Sequence, residues 1–129
     1  SGTGSVGTVT ASGTAVSSIA ATYTVTVASY LGYNKYYIDG VRQDTVSLSE
    51  GSTYRFDQSD SSNSGHPLRF STTSGGTHSG GSQYTTGVTS SGTPGSSGAY
   101  TQITVASGAP TLYYYCTNHS GMGGQANTP

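Results

Sequence analysis

Tyr23-Thr24-Val25-Thr26-Val27 alternates strictly between bulky apolar or aromatic side chains and threonines. Successive side chains of an extended chain point to opposite faces, so Tyr23, Val25 and Val27 share one face and the threonines the other. This predicts a half-buried strand. The same period recurs along the chain. Val46 and Leu48 alternate with Thr45, Ser47 and Ser49, and Glu50-Gly51 turns the chain into Thr53-Tyr54-Arg55-Phe56. Leu68 with Phe70, Ile103 with Val105, and Leu112 with Tyr114 and Cys116 repeat it. Tyr36-Tyr37-Ile38-Asp39-Gly40-Val41-Arg42 carries an Asp-Gly pair, suited to a two-residue hairpin whose central positions both need φ > 0. No stretch places apolar residues at i, i+3, i+4 and i+7, and Gly, Ser and Thr weaken helices. About seven short strands joined by Gly/Ser turns predict an all-β, antiparallel sandwich. Its expected core is Tyr54, Phe56, Leu68, Phe70, Ile103, Val105, Leu112 and Tyr114.

The chain, 129 residues and 13.0 kDa, is the size of one domain, and we read 1-129 as a single unit. Residues 1-20 are an N-terminal extension in which Val6, Val9, Val16 and Ile19 form at most an edge strand. Residues 71-98 are Ser, Thr and Gly broken by Tyr84, Val88 and Pro94, and read as a long, partly mobile insertion loop. The likeness of residues 23–29 to 100–107 is convergence within a small alphabet rather than duplication.

Ser, Thr and Gly supply 64 of the residues, a composition that on its own reads as disorder. The 11 Tyr and the alternating Val, Ile and Leu supply the apolar surface that a disordered chain lacks. All nine charged residues fall between Lys35 and Arg69. With no basic patch to release counterions from phosphate, nucleic acid is not an expected partner. No run of about 18 apolar residues spans a bilayer. The missing start Met, signal sequence and lipidation motif lead us to expect a mature fragment, an excised module or the ordered part of something longer. A single Cys, Cys116, excludes an internal disulfide, and the hydroxyl-rich, Lys-poor surface resembles secreted or virion proteins. No Asp or Glu follows Asp60, no Ser-His-Asp order stands out, and no phosphate-cradling Gly loop precedes a helix. Neither an enzyme nor a small-molecule substrate is expected.

Cys116-Thr117-Asn118-His119-Ser120-Gly121-Met122 sets a thiol, an imidazole and a thioether three residues apart where an alternating strand ends. A short loop leaving that strand can converge all three. Soft sulfur beside imidazole selects copper over magnesium or calcium, and two His, one Cys and a weak axial Met define the blue-copper site. His66, at the mouth of the Leu68-Phe70 strand, supplies the second imidazole. Each residue alone has a plainer reading, Cys116 as a small buried hydrophobe and His66 as a solvated loop residue. The joint pattern, in a chain with three His, one Cys and one Met, favours a metal-capable site. Zinc on Cys and two His, or an empty site held by packing, remain open alternatives. His78 reads as solvent-exposed, with an accessory ligand as the minor reading. Asn118-His119-Ser120 is a glycosylation sequon by coincidence, since its middle residue is a proposed ligand. Tyr54 and Tyr114 are expected inward, Tyr113 and Tyr115 outward.

Residues 46–56, Gly65-His66-Pro67-Leu68-Arg69-Phe70, and Leu112 through Gly123 together resemble the cupredoxin family, plastocyanin and amicyanin in particular. The shared order is a strand, a Gly turn, an aromatic strand, a first His, and a Tyr-rich strand running into Cys, His and Met. It covers about residues 41 to 123, with 71-98 as an insertion, and Cys-x-x-His-x-x-Met is similar to amicyanin's short ligand loop. The resemblance implies a Greek-key sandwich and one copper ion, with His66, Cys116 and His119 as equatorial ligands and Met122 as the axial one. Three departures stand out. Pro67 replaces the Asn that usually ties the ligand loops together, and cannot donate a backbone hydrogen bond. Family members continue after Met into a hydrophobic strand, whereas residues 123-129 form a C-terminal tail with almost nothing to bury, so that strand is expected to be missing or supplied by the N-terminal region or a neighbouring chain. Charged docking patches are absent. Thr53 to Asp60, His66 to Ser71 and Tyr113 to Gly124 are also similar to cupredoxin-like modules of large marine-phage structural proteins. That likeness implies a structural building block of a virion-surface or other extracellular assembly or fibre, working by self-association or with other structural subunits. The alternative is a soluble blue-copper electron-transfer protein, for which a periplasmic location would suit.

Overall fold

The computed structural model describes residues 18–129. The proposed edge strand around Val6, Val9 and Val16 lies outside them. Two sheets enclose one core. The first contains β1 (Ile19–Tyr30), β2 (Tyr33–Ile38), β3 (Val41–Arg42), β5 (Thr53–Asp57), β8 (Val88–Ser91) and β9 (Tyr100–Thr104), in the order β3-β2-β1-β5-β9-β8. The second contains β4 (Val46–Ser47), β6 (Leu68–Ser71), β7 (Gln83–Tyr84), β10 (Leu112–Cys116) and β11 (Gly124–Asn127), in the order β4-β11-β10-β6-β7. The only helical elements among the described residues are 3-10 turns at Ser61–Asn63 and Gly76–Ser79. No helix there is long and apolar enough to cross a membrane.

The alternating positions do what their period predicts. All eight expected core side chains are buried, joined by Val25, Tyr36, Ile38, Val46, Leu48, Cys116, Met122 and Ala126. Phe56 of the first sheet meets Phe70 and Tyr114 of the second at ring-centroid distances of 5.4 and 6.3 Å, which locks the layers face to face. A fully buried Leu such as Leu68 contributes about 2–3 kcal/mol by removing its apolar surface from water. Asp39 and Gly40 both have positive φ, 49° and 84°, and close the β2–β3 hairpin.

Three features differ from the sequence reading. The sheets are mixed rather than purely antiparallel, because β1 runs parallel to β5 and β4 parallel to β11. Between β1 and β5 the chain visits the other sheet through β4, and such a crossover allows parallel neighbours. Residues 71-98 are not a free loop: β7 extends β6, β8 extends β9, and the Gly76–Ser79 turn packs on Tyr115. Tyr115 is therefore buried rather than outward, while Tyr113 is half-buried. Finally, the C-terminal segment is itself the closing strand, β11, antiparallel to β10.

β1 changes partner midway. Ile19 to Thr24 pair with β5, and Val25 to Tyr30 with β2. Beyond the β5 pairing, Ser62 Oγ accepts from the Val27 N–H (2.9 Å) and Asn63 Nδ2 donates to the Val25 carbonyl (2.7 Å). The 3-10 turn thus takes over from a strand at this edge.

The register decides where the candidate ligands emerge. Leu68 pairs with Cys116 in the antiparallel β6–β10 ladder, so residues before Leu68 and after Cys116 leave the sheet at one end. Ile19 starts β1 beside Thr53, and Asn127 ends β11 with its carbonyl accepting from the Leu48 N–H. Both lie at the other end.

Candidate metal centre

Cys116 ends β10, is fully buried and is unpaired. His66 enters from a loop whose bend is made by Gly65 at φ 79° and whose start is the 3-10 turn. Asp60 caps that turn by accepting from the Ser62 N–H and hydroxyl, contacts that hold its carboxyl below the usual aspartate value. His119 lies on the loop after β10 and is exposed.

His66 Nδ1 is 3.6 Å and His119 Nδ1 3.8 Å from Cys116 Sγ, and the rings lie 4.8 Å apart between centroids. The three donor atoms all lie within 4.8 Å of one another. Metal bonds of about 2.0–2.1 Å to nitrogen and 2.3 Å to sulfur, opened to tetrahedral or trigonal angles, would separate sulfur from nitrogen by about 3.6–3.8 Å. The two sulfur–nitrogen distances fit this. Burial first, and then the neighbouring His119, lowers the pKa of His66, which keeps its imidazole neutral and its lone pair free for a metal.

Met122 is buried, and its carbonyl accepts from the Tyr36 N–H at 2.9 Å. The structure thus brings His66, Cys116 and His119 into one cluster, with Met122 anchored at the end of the same loop. His78 is exposed, as expected, but is not free. Its Nε2 lies 2.8 Å from the Cys116 carbonyl, which can only accept, so that nitrogen carries the proton. It is engaged with backbone rather than set among the donors.

Pro67 does not leave the ligand loops untied. Its carbonyl accepts from the Thr117 N–H (3.2 Å), and Asn118 Nδ2 donates to the Gly65 carbonyl (2.8 Å). The tie runs in the opposite direction, with proline as acceptor.

A buried polar network backs the site, and the sequence reading did not find it. Gln58, 1% exposed, donates through Nε2 to Asn63 Oδ1 (3.0 Å) and the His66 carbonyl (2.7 Å), and accepts from the Leu68 N–H through Oε1 (3.0 Å). Tyr36, fully buried, donates its hydroxyl to the same His66 carbonyl at 2.6 Å. Across the loop, Lys35 Nζ donates to the Gly121 carbonyl (2.8 Å), and Gln43 Nε2 reaches the Gly121 and Gly123 carbonyls (3.1 and 2.8 Å). Polar residues in a Ser- and Thr-rich chain carry no period that marks them as buried. Their bonds to backbone are visible only in three dimensions.

The solvent side is a cleft between Asn118, His119, Ser120 and His78 on one wall and Gly32, Tyr33 and Asn34 of the β1–β2 turn on the other. Leu31 and Tyr33 at this turn are largely exposed, 81% and 72%. No protein-family model matches the chain, and no curated protein matches it significantly.

Proposed function

We propose that this chain is a cupredoxin-like module that binds one copper ion through His66, Cys116 and His119, with Met122 as the weak axial ligand. One observation carries the reading: two imidazole nitrogens stand at metal-bridging distance from a buried thiol. Soft thiolate with two imidazoles is the donor set of blue-copper electron-transfer sites, and copper held there supplies a reversible one-electron couple. Around it the protein excludes water from Cys116, keeps His66 neutral and leaves the His119 edge toward solvent. No catalytic role is proposed, since these four ligands leave no position for a substrate.

Cu(II) titration tests the proposal. A thiolate on Cu(II) in trigonal geometry gives an intense visible band, expected to saturate at one equivalent and to vanish in Cys116→Ser. A colourless wild-type protein that takes up zinc would replace copper by a structural zinc reading.

Two uses of such a centre compete. The electron-carrier reading is supported by exposed Leu31 and Tyr33 beside the His119 cleft, an apolar pair at its rim. The building-block reading, in a virion-surface or other extracellular assembly, is supported by the confinement of charge to residues 35–69. β11 completes the second sheet from within the chain, so this reading does not need a neighbour's strand. A monomer at micromolar concentration with reversible voltammetry selects the carrier. A stable oligomer by mass photometry selects the building block.

A further inference from the structure

Resting on the copper reading above, we infer that Tyr36 is a positioning residue of the metal centre, holding His66 by its hydroxyl and Met122 by its backbone N–H. The hydroxyl donates to the His66 carbonyl at 2.6 Å and the N–H to the Met122 carbonyl at 2.9 Å. These two residues sit on different loops, 56 positions apart in sequence by their numbering. Tyr36 itself belongs to neither. It comes from β2 in the opposite sheet, is fully buried, and packs on Tyr114 at 6.3 Å between ring centroids.

The phenol also borders the third ligand. Burial, and next the adjoining Cys116 sulfur, hold it un-ionised far above the usual tyrosine value. The His66 carbonyl has a second donor, Gln58 Nε2 at 2.7 Å. Tyr36 and Gln58 thus hold that carbonyl from two sides.

Tyr36→Phe removes only the hydroxyl and keeps the ring on Tyr114. Expected are one-to-one copper binding weakened about tenfold or more, with a visible band and a reduction potential that both differ from wild type as His66 loses its hold. Tyr23→Phe, which alters a half-buried phenol elsewhere in the core, should leave all three unchanged. In the metal-free protein, hydrogen exchange of the His66 and Leu68 amides should quicken in Tyr36→Phe and not in Tyr23→Phe. Unchanged affinity, band and potential in Tyr36→Phe, with wild-type protein coloured, would overturn the positioning role while leaving the copper reading intact. A wild-type protein that binds no copper would end the copper reading instead, and unchanged exchange in the metal-free protein would then dismiss the Tyr36 clamp as well.

Discussion

Gly123 has no room for a side chain, because a Cβ there would overlap the Tyr114 carbonyl. A Cβ at Gly124 would lie 2.7 Å from both the Gln43 carbonyl and the Tyr114 hydroxyl. The two glycines let the chain leaving Met122 lie directly on β10. Gly123→Ala is expected to cost about 1–3 kcal/mol, read as a lowered urea midpoint at unchanged m-value. Asp60 gives a pH-dependent case. Its folded pKa is depressed below the ordinary 3.8 by its bonds to Ser62, so its contribution is complete above the unfolded value and is lost as pH falls through the folded one. Asp60→Asn should therefore flatten the acid side of the stability curve, the difference from wild type shrinking below pH ~4. Equal slopes in both proteins would show that the cap does not couple to folding. Gln43 is the third case, since its amide holds the carbonyls on both sides of Met122. Gln43→Ala should speed copper release about tenfold while changing unfolding free energy by only about 1 kcal/mol.

Among the elements, the Gly76–Ser79 turn is the clearest test of how the insertion works. Gly76 stands at φ 61° with its α-carbon against the Tyr115 ring, so a side chain would have to displace that ring. Gly76→Val is expected to lift the turn, expose Tyr115 and break the His78 bond to the Cys116 carbonyl. Destabilisation of about 2–3 kcal/mol with a change in near-UV tyrosine dichroism would mark it. The elements differ in how far they were legible. β5, β6, β9 and β10 declare themselves because alternate residues are large and apolar, and the Asp39-Gly40 turn because its backbone demands are unusual. The cluster of His66, Cys116 and His119 was legible from spacing and from the strand ends. β11 was not, since it buries only the Ala126 side chain and is held by close backbone approach at two glycines. β7 and β8 were hidden for a related reason: hydrogen-bond pairing on Ser- and Thr-rich edges leaves no hydrophobic period. Tyr36 and Gln58 act through backbone carbonyls, which no side-chain pattern announces.

For the whole molecule, a metal held by the proposed centre would tie loops 50 residues apart, as counted from His66 to Cys116. A ligand bound only by the native state stabilises it by mass action, by about 4 kcal/mol at a thousand times its dissociation constant. If copper occupies the proposed centre, removing it with a chelator should lower the thermal midpoint by several degrees, and Cys116→Ser should abolish the response to both copper and chelator. Of the four outer strands, β3, β4 and β7 have two residues each, too short to template another chain, whereas β8 has four. The placement of Ile19 and Asn127 at the end away from Cys116 has a geometric outcome of its own. Any anchor joined beyond those two residues grips the sandwich by its base, so the module stands like a lamp on a post with His119 at the crown. Immobilising it through its C-terminus should leave copper uptake untouched, whereas splicing bulk between Leu31 and Gly32 would shade the crown.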